Sequence, residues 1–180
     1  PSVLLKSNGK FLAKILKELR SSGRVKNIGF SIYSPEILPS ILSILRPDIV
    51  QVPFNILDQR IIKSGWLDSL TSEGIKVYIR SVFLQGLLLQ EPENRPSYFD
   101  RWNCTLSKWD SFVKKTGHSR TAICLGFIKQ FKQIDRVIVG IDNLSHLQQL
   151  VKDFSLNIDV NPQCLSIEDT SLIDPFNWTI

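Results

Sequence analysis

The sequence predicts an α/β fold, four strand–helix units laid side by side on a parallel sheet, and three observations carry that prediction. Four short runs are almost wholly apolar, as strands covered on both faces are: Asn27–Ser31, Asp48–Gln51, Ile75–Ser81 and Arg136–Gly140. Each of the first three is followed by a helix-like segment, so the order strand, tip residue, helix repeats. The first three runs also end on a polar residue that a buried strand does not need, Ser31, Gln51 and Ser81, and the fourth ends on Gly140. Right-handed crossovers turn four such units either into half of an eight-stranded barrel or into a small open sheet. In both architectures ligands sit at the C-terminal ends of the strands, so Ser31, Gln51 and Ser81 are expected to face one common site.

The elements follow in order. Phe11, Leu12, Ile15, Leu16 and Leu19 recur at the spacing of one helical face, and Ser21, Ser22 and Gly23 stop that helix. After the first strand, Ser34-Pro35 reads as an N-cap with proline at the first helical position. The second helix carries Ile37, Leu38, Ile41, Leu42 and Leu45 and ends before Pro47. In the second strand Pro53 lacks an amide hydrogen, which limits pairing to Asp48–Val52. A third helix is expected over Asp58 to Ser72, with Ile61, Ile62, Leu67 and Leu70 inward and Gly74 at its C-terminal stop. The third strand opens into a long loop rich in Pro, Glu, Asn and Gly, followed by helices over Tyr98 to Lys115 and Ser119 to Lys129. The last long helix spans Ser145 to Phe154, and the remainder reads as a tail ending in Pro175-Phe176-Asn177-Trp178.

At 180 residues and 43% apolar composition the chain fits one globular domain with a substantial core. Its net charge of +5 is mildly basic. Lys6, Lys10, Lys14, Lys17, Arg20, Arg24 and Lys26 lie along the first helix and its exit; with no series of aromatic residues interleaved among them, Phe11 alone standing between, they read as a solvated face, not a nucleic-acid stripe. Cys104, Cys124 and Cys164 form no CxxC pair, which points to reduced, buried thiols in a cytoplasmic protein and away from a disulfide frame or zinc site. No apolar run approaches the roughly 18 residues of a membrane span, and no signal-peptide pattern opens the chain. The first residue is Pro1 and the count of Met is 0, so the expectation is a fragment of a longer protein.

The candidate chemistry is one of binding groups. Ser31 either caps the following turn or holds a ligand amide. Gln51 at a strand tip can offer one donor and one acceptor to a planar carboxamide, or meet a structural partner in a neighbouring loop. Asn55 reads as the residue that fixes the loop after that strand. Ser81, with Gly86 five residues on, suits a pyrophosphate. Gly140, with Asn143 or Ser145 capping the next helix, makes a second anion-accepting helix start. His118 and His146 read as solvated or capping residues. Tyr33 and Tyr78 have no acid or base beside them, and neither a carboxylate pair, a metal constellation, a GxGxxG nor a GxxxxGK(S/T) run is present.

GFSIYSP, PDIVQVPFNILDQR, GIKVYIRSVFLQGLLL and IDRVIVGIDNLSHLQQLV, in this order and spacing, resemble the second half of an aldo-keto reductase. The likeness runs from near Gly9 to about Phe154. It implies a partial TIM (β/α)8 barrel, its last four βα units over 1–154, with a C-terminal tail over 155–180 packed on the outside. It implies an oxidoreductase that binds NADPH, sometimes NADH, in extended form and reduces aldehydes or ketones. By the resemblance, Ser31 and Gln51 hold the nicotinamide carboxamide, and Ile32 stands where the family usually has Asn. Arg80 occupies the place where many members stack an aromatic on the nicotinamide ring. Ser81, Phe83 and Gln85 match the loop along the pyrophosphate. Gly140, Ile141, Asp142 and Asn143 match the segment around the adenosine phosphate, with His146 and Gln149 further along. Asp142 stands where NADPH-preferring members often place a cation to pair with the 2′-phosphate.

The family's catalytic Asp, Tyr, Lys and His come from the first half of the barrel, the His just before a proline to which Pro1 corresponds. No residue of this chain takes a catalytic role by the resemblance, and the chain alone is expected to be inactive. The implied partners are the nicotinamide cofactor and, in the complete protein, a small carbonyl substrate, with neither nucleic acid nor membrane. Exposed half-barrel edges imply self-association. The alternative is a non-catalytic nucleotide-binding or regulatory subunit of the same fold.

Overall fold

A computed structural model describes residues 2–179, apart from the side chain of Gln163. Pro1, matched above to a family proline, lies outside the described residues. The chain divides into two compact units. The first holds the chain up to Pro53, Arg60–Arg80 and Gln133–Arg136; the second holds Phe54–Gln59, Ser81–Lys132 and the chain from Val137 onward.

The first unit starts with a 3-10 turn, Ser2–Leu5, and helix α1, Gly9–Ser21. Gly9 is required where the two meet, because a Cβ there would lie 1.7 Å from the carbonyl oxygen of Leu4. Gly9→Ala is therefore expected to destabilise the chain by about 1–3 kcal/mol in urea unfolding, although alanine is the better helix former by about 1 kcal/mol. The apolar face read from the sequence is only partly covered: Ala13 is buried, Leu12, Ile15, Leu16 and Leu19 are half-buried, and Phe11 is 68% exposed.

Strand β1 is Gly29–Ser31, shorter than the apolar run, and β2 is Ile49–Pro53. Pro53 does not stop β2 before itself; it pairs in register with Arg80. A parallel strand directs each residue's peptide groups to one neighbour only, so a missing N–H is tolerated where that side makes no demand. Between these strands Ser34 caps a 3-10 turn, Pro35–Ile37, that leads into helix α2, Leu38–Leu42. The expected third helix is two pieces, α3 Arg60–Lys63 and α4 Trp66–Ser72. The break is Gly65, held at φ 74°, a left-handed conformation that no helix interior accepts. Strand β3 is Lys76–Arg80, and β4 is Ile134–Val137, two residues earlier at its start than the apolar run suggested. The four strands are parallel in the order β1-β2-β3-β4.

Two carboxylates, the half-buried Asp48 and the exposed Asp135, tie down the starts of these strands. Asp48 accepts from Arg20 Nη1 at 3.0 Å and from the Ile28 amide at 2.8 Å, tying the end of α1 and the entry to β1 to the entry of β2. Burial works to raise the Asp48 carboxyl; the Ile28 amide and the Arg20 guanidinium outweigh it and hold it below the usual carboxylate range. Asp135 of β4 accepts from the Val77 amide at 2.9 Å.

In the second unit, the loop after β3 passes through 3-10 turns at Leu87–Leu89, Pro92–Asn94 and Ser97–Trp102 into helix α5, Asn103–Thr116. Helix α6, Arg120–Lys129, is buried nearly all round, with Ser119 capping it by accepting from the Ala122 amide at 3.0 Å. Its Phe127 packs with Phe54 and Phe131, ring centroids 5.1 Å and 5.3 Å away. Helix α7, Leu144–Ser155, and the short helix α8, Thr170–Ile173, complete the unit with a 3-10 turn at Pro175–Asn177. The residues beyond α7 are tied in: the Ile167 amide donates to Leu57 O at 3.0 Å, and Trp102 Nε1 donates to Asp169 Oδ2 at 2.7 Å.

The cysteine reading needs correction. Cys124 is buried in α6, and burial pushes its thiol up, but Cys104 and Cys164 are exposed, in the first turn of α5 and in the 3-10 turn Gln163–Leu165. Cysteine count and spacing say nothing about which helical face a residue takes.

Candidate functional site

In the first unit the strand pleat sorts the residues into two faces. Val50 and Val52 of β2 and Val77 and Ile79 of β3 are fully buried on one face. On the other, the register aligns Ser31, Gln51 and Tyr78 in one row, with Gln51 and Tyr78 half-buried and Ser31 exposed. The end of β1 is joined there to the middle of β2, because β2 runs on past Gln51 to Pro53 and Gln51 is not its tip: Ser31 Oγ donates to Gln51 Oε1 at 2.8 Å. Among the described residues Gln51 Nε2 has no hydrogen-bond partner, so the pair keeps a donor to spare.

Arg80, not Ser81, is the last residue of β3, and it reaches across to the turn after β1. Its Nη2 donates to Ile32 O at 3.1 Å and its guanidinium lies 4.5 Å from the centre of the Tyr33 ring. Ile32 itself is fully buried, and its amide donates to Gln51 O at 2.8 Å. Its side chain is part of the core and offers no polar group at the strand tips. The expected common site of Ser31, Gln51 and Ser81 is thus assembled within the first unit from Ser31 and Gln51, with Arg80 beside them. Ser81 begins the second unit.

In that unit the segment after β3 is conformationally unusual. Ser81, Leu84 and Gln85 hold φ of 57°, 47° and 53°, and Gly86 follows at 86°. Left-handed backbone at non-glycine residues costs roughly 1–3 kcal/mol each and persists where the surroundings impose it. Asn55 is the imposing residue. It is 1% exposed, its Oδ1 accepts from the amides of Leu57 and Asp58 at 2.9 Å, and its Nδ2 donates to Ser81 O at 3.0 Å. The same Ser81 carbonyl accepts from the Leu84 amide at 2.9 Å. Phe83 is nearly buried, Gln85 is exposed, and the amides of Phe83, Gln85 and Gly86 have no partner among the described residues. The sequence signalled this turn only through Gly86; nothing in it marked the serine, leucine and glutamine as left-handed.

The fourth tip also shifts. β4 ends at Val137, so Gly140 lies beyond the strand, in an irregular stretch leading to α7. Asn143, not Ser145, caps α7: its Oδ1 accepts from the His146 amide at 2.8 Å and from Ser145 Oγ at 2.6 Å. Ile141 is 48% exposed, and the Asp142 carboxylate lies 3.6 Å from His146 Nδ1. Gln149 turns away from the helix start and donates to Asp153 Oδ1 at 2.8 Å; Asp153 also accepts from Ser119 at 2.8 Å. His118 is exposed, as read from the sequence. Among the described residues no group of three or more His, Cys, Asp or Glu is placed to hold a metal, and no helix is long and apolar enough to cross a membrane.

These features define a class: an α/β domain with four parallel strands, with Ser31, Gln51 and Arg80 on one face of the sheet. The aldo/keto reductase family pattern matches residues 11–168, and the chain belongs to that family, covering part of its domain. L-glyceraldehyde 3-phosphate reductases from two strains of Escherichia coli are similar to it. One is 24% identical over 186 residues, 90% of this chain and 52% of the relative. The other is 23% identical over 164 residues, 78% and 47%. In fold the chain resembles an aldo-keto reductase from Bacillus halodurans. The apo form aligns with TM-score 0.69 at 16% identity over 86% of this chain and 56% of that one. The holo form aligns with TM-score 0.65 at 17% identity over 80% and 49%. The chain spans about half the length of the relatives it matches.

Proposed function

We propose that this chain is the C-terminal part of an NAD(P)H-dependent aldo-keto reductase: the last four βα units of a (β/α)8 barrel over 1–154, with a tail over 155–180. It supplies the cofactor side of the cleft. The observation that carries the reading is the Ser31–Gln51 pair, a strand amide held by a hydroxyl at the end of the neighbouring strand with its NH2 left over. That arrangement fits a planar carboxamide, which needs one donor and one acceptor. Arg80 flanks it in the position that the family gives to a stacking residue. The left-handed segment at Ser81, Phe83 and Gln85, with unengaged amides, fits a diphosphate. The start of α7 at Gly140, Ile141, Asp142 and Asn143, with His146 and Gln149, fits the adenosine end of the nucleotide. Asp142 is 90% exposed there, and its charge opposes a 2′-phosphate.

Bound NAD(P)H supplies the hydride for reduction of an aldehyde or ketone; the residues of this chain bind and orient the nucleotide. None is assigned to proton transfer, so the 180-residue chain alone is expected to show no carbonyl-dependent NAD(P)H oxidation. A cytoplasmic location belongs to the same proposal and rests on three unpaired cysteines.

The test is titration of the purified chain with NADPH and NADH, followed by tryptophan fluorescence or calorimetry. Gln51→Ala is expected to weaken binding about tenfold, or about 1.4 kcal/mol, without altering the unfolding midpoint much. A folded chain that binds neither nucleotide overturns the reading. Turnover by the chain alone overturns the assignment of the chemistry to residues outside it.

A further inference from the structure

A positive charge is built into the sheet face that holds the Ser31–Gln51 pair. Lys76, Tyr78 and Arg80 alternate along β3, so Arg80 shares a face with Ile49, Gln51 and Pro53 of β2. It pairs in register with Pro53, two residues beyond Gln51. Neighbouring strands lie about 4.8 Å apart, and the Arg80 side chain crosses β2 to end at the exit of β1. There its Nη2 donates to Ile32 O at 3.1 Å, one residue after Ser31, while the Ile32 amide donates to Gln51 O. The guanidinium therefore lies against the residue that links the two members of the pair.

Two neutral groups hold it there, the Ile32 carbonyl and the Tyr33 ring, whose centre is 4.5 Å from Arg80 Cζ. Neither of them cancels its charge. Tyr33 is 46% exposed, and its own carbonyl accepts from Arg60 Nη2 at 3.1 Å, so a second guanidinium closes on the same turn. Arg80 is half-buried, which leaves its charge less screened than that of an open surface arginine.

The two oxidation states of a nicotinamide ring differ by one unit of charge: the oxidised ring is a cation and the reduced ring is neutral. The rest of the nucleotide is the same in both, so a cation beside the ring acts on one state only. At about 7 Å and an effective dielectric of about 20, two unit charges repel by more than the equivalent of a tenfold change in affinity. An aromatic side chain in the same place acts the opposite way, because its π face attracts a cationic ring.

We propose that Arg80 makes this site selective for the reduced form of the nucleotide, with Tyr33 as the positioning residue that keeps the guanidinium at the exit of β1. The proposal rests on the carboxamide assignment of Ser31 and Gln51 and extends it. The pair fixes where the ring lies, and the arginine decides which oxidation state stays. Such selectivity suits carbonyl reduction, since the spent form of the nucleotide is the one that Arg80 repels.

Calorimetric titration of the 180-residue chain with NADH and NAD+, and with NADPH and NADP+, gives the affinity ratio of the two oxidation states. That ratio cancels the adenosine and diphosphate contacts, which both states share. Wild type is expected to bind the reduced form at least about tenfold more tightly. Arg80→Gln keeps a donor for Ile32 O and is expected to bring the ratio within about twofold of unity, whereas Arg80→Lys keeps most of it. Tyr33→Phe is expected to retain the ratio and Tyr33→Leu to lower it about threefold, with circular dichroism unchanged in both. A folded chain that binds neither state overturns the carboxamide assignment, and the role of Arg80 falls with it. A chain that binds both states equally, or whose ratio survives Arg80→Gln, leaves that assignment standing and overturns the role of Arg80.

Discussion

Asp110→Ala is expected to cost the second unit about 3 kcal/mol or more, the penalty for breaking a largely buried ion pair from one side. Asp110 lies between two arginines, accepting from Arg95 Nη1 at 2.7 Å and from Arg120 Nη1 at 2.9 Å. The arginine side chains are only 7% and 9% exposed, so neither can turn to water when the carboxylate is removed. Arg120 keeps a bond to Glu91 at 2.8 Å, but Glu91 is 58% exposed and compensates weakly. Arg120 also begins α6, the most buried helix, so the strain falls on the core of the unit. Urea unfolding of the single variant and of Asp110→Ala/Arg120→Leu separates the terms. The double variant is expected to lose less than the sum of its singles, because it leaves only Arg95 short of a partner where Asp110→Ala leaves Arg95 and, in part, Arg120.

The same cluster gives the chain an acid limit. Burial works to raise the Asp110 carboxyl, and the hydrogen bonds and charges of Arg95 and Arg120 outweigh it, holding it below the usual range. Glu91 is lowered as well, first by its hydrogen bond from Arg120 and then by that residue's charge. Carboxyls depressed in the folded state stabilise it above their unfolded values, near pH 4, and that contribution is lost as pH falls through the folded ones. Wild-type stability is expected to drop below about pH 4, and Asp110→Ala to drop less steeply over the same interval. Parallel acid titrations of the two proteins, followed by circular dichroism, check this; equal slopes refute it.

Asn55→Ala is the second large effect, expected at about 3 kcal/mol, with a loss of nucleotide affinity beyond it. The substitution strips an acceptor from the Leu57 and Asp58 amides and a donor from the Ser81 carbonyl, all at a site 1% exposed. Ser81 at φ 57° then loses one of the bonds that hold it left-handed. Asn55→Asp keeps the acceptor but turns a second oxygen toward the Ser81 carbonyl. Its buried carboxyl is expected to titrate above the usual range, since only the protonated form can donate. A pKa raised on folding favours the folded state at low pH and loses that advantage as pH rises through it. Relative to wild type, Asn55→Asp should therefore be least stable at neutral pH and recover toward pH 5 or so. An Asn55→Asp variant no more destabilised at neutral pH than in acid contradicts the role given to Nδ2.

Much of the fold was legible in the chain. Four apolar runs, the helices between them, the cap at Ser34 and Asn143 as one of two candidate caps for α7 follow from local rules, since hydrophobic run length and capping chemistry act over a few residues. Errors came where a distant partner decided. Gly65 splits a helix that periodicity alone continues, and β4 starts at Ile134 because Asp135 is bound to the Val77 amide far away in sequence. Of the site, Ser31 and Gln51 were visible as polar residues on apolar runs, but only Ser31 ends its strand, since β2 continues through Pro53. Arg80 displaced Ser81 at the third tip because its guanidinium is held by the Ile32 carbonyl and the Tyr33 ring.

The sequence by itself determined the alternation of strands and helices, the family, the polar residues on apolar runs and the basic run along the first helix. Those properties are written in residue type and short spacing. The tertiary structure alone decided that Ser31 bonds Gln51, that Asn55 bonds the left-handed Ser81, and that Asp110 lies between two buried arginines. It also set the four strands in the order β1-β2-β3-β4. Each of these depends on groups far apart in the chain brought within a few ångströms, and a hydrogen bond or ion pair exists only at that distance.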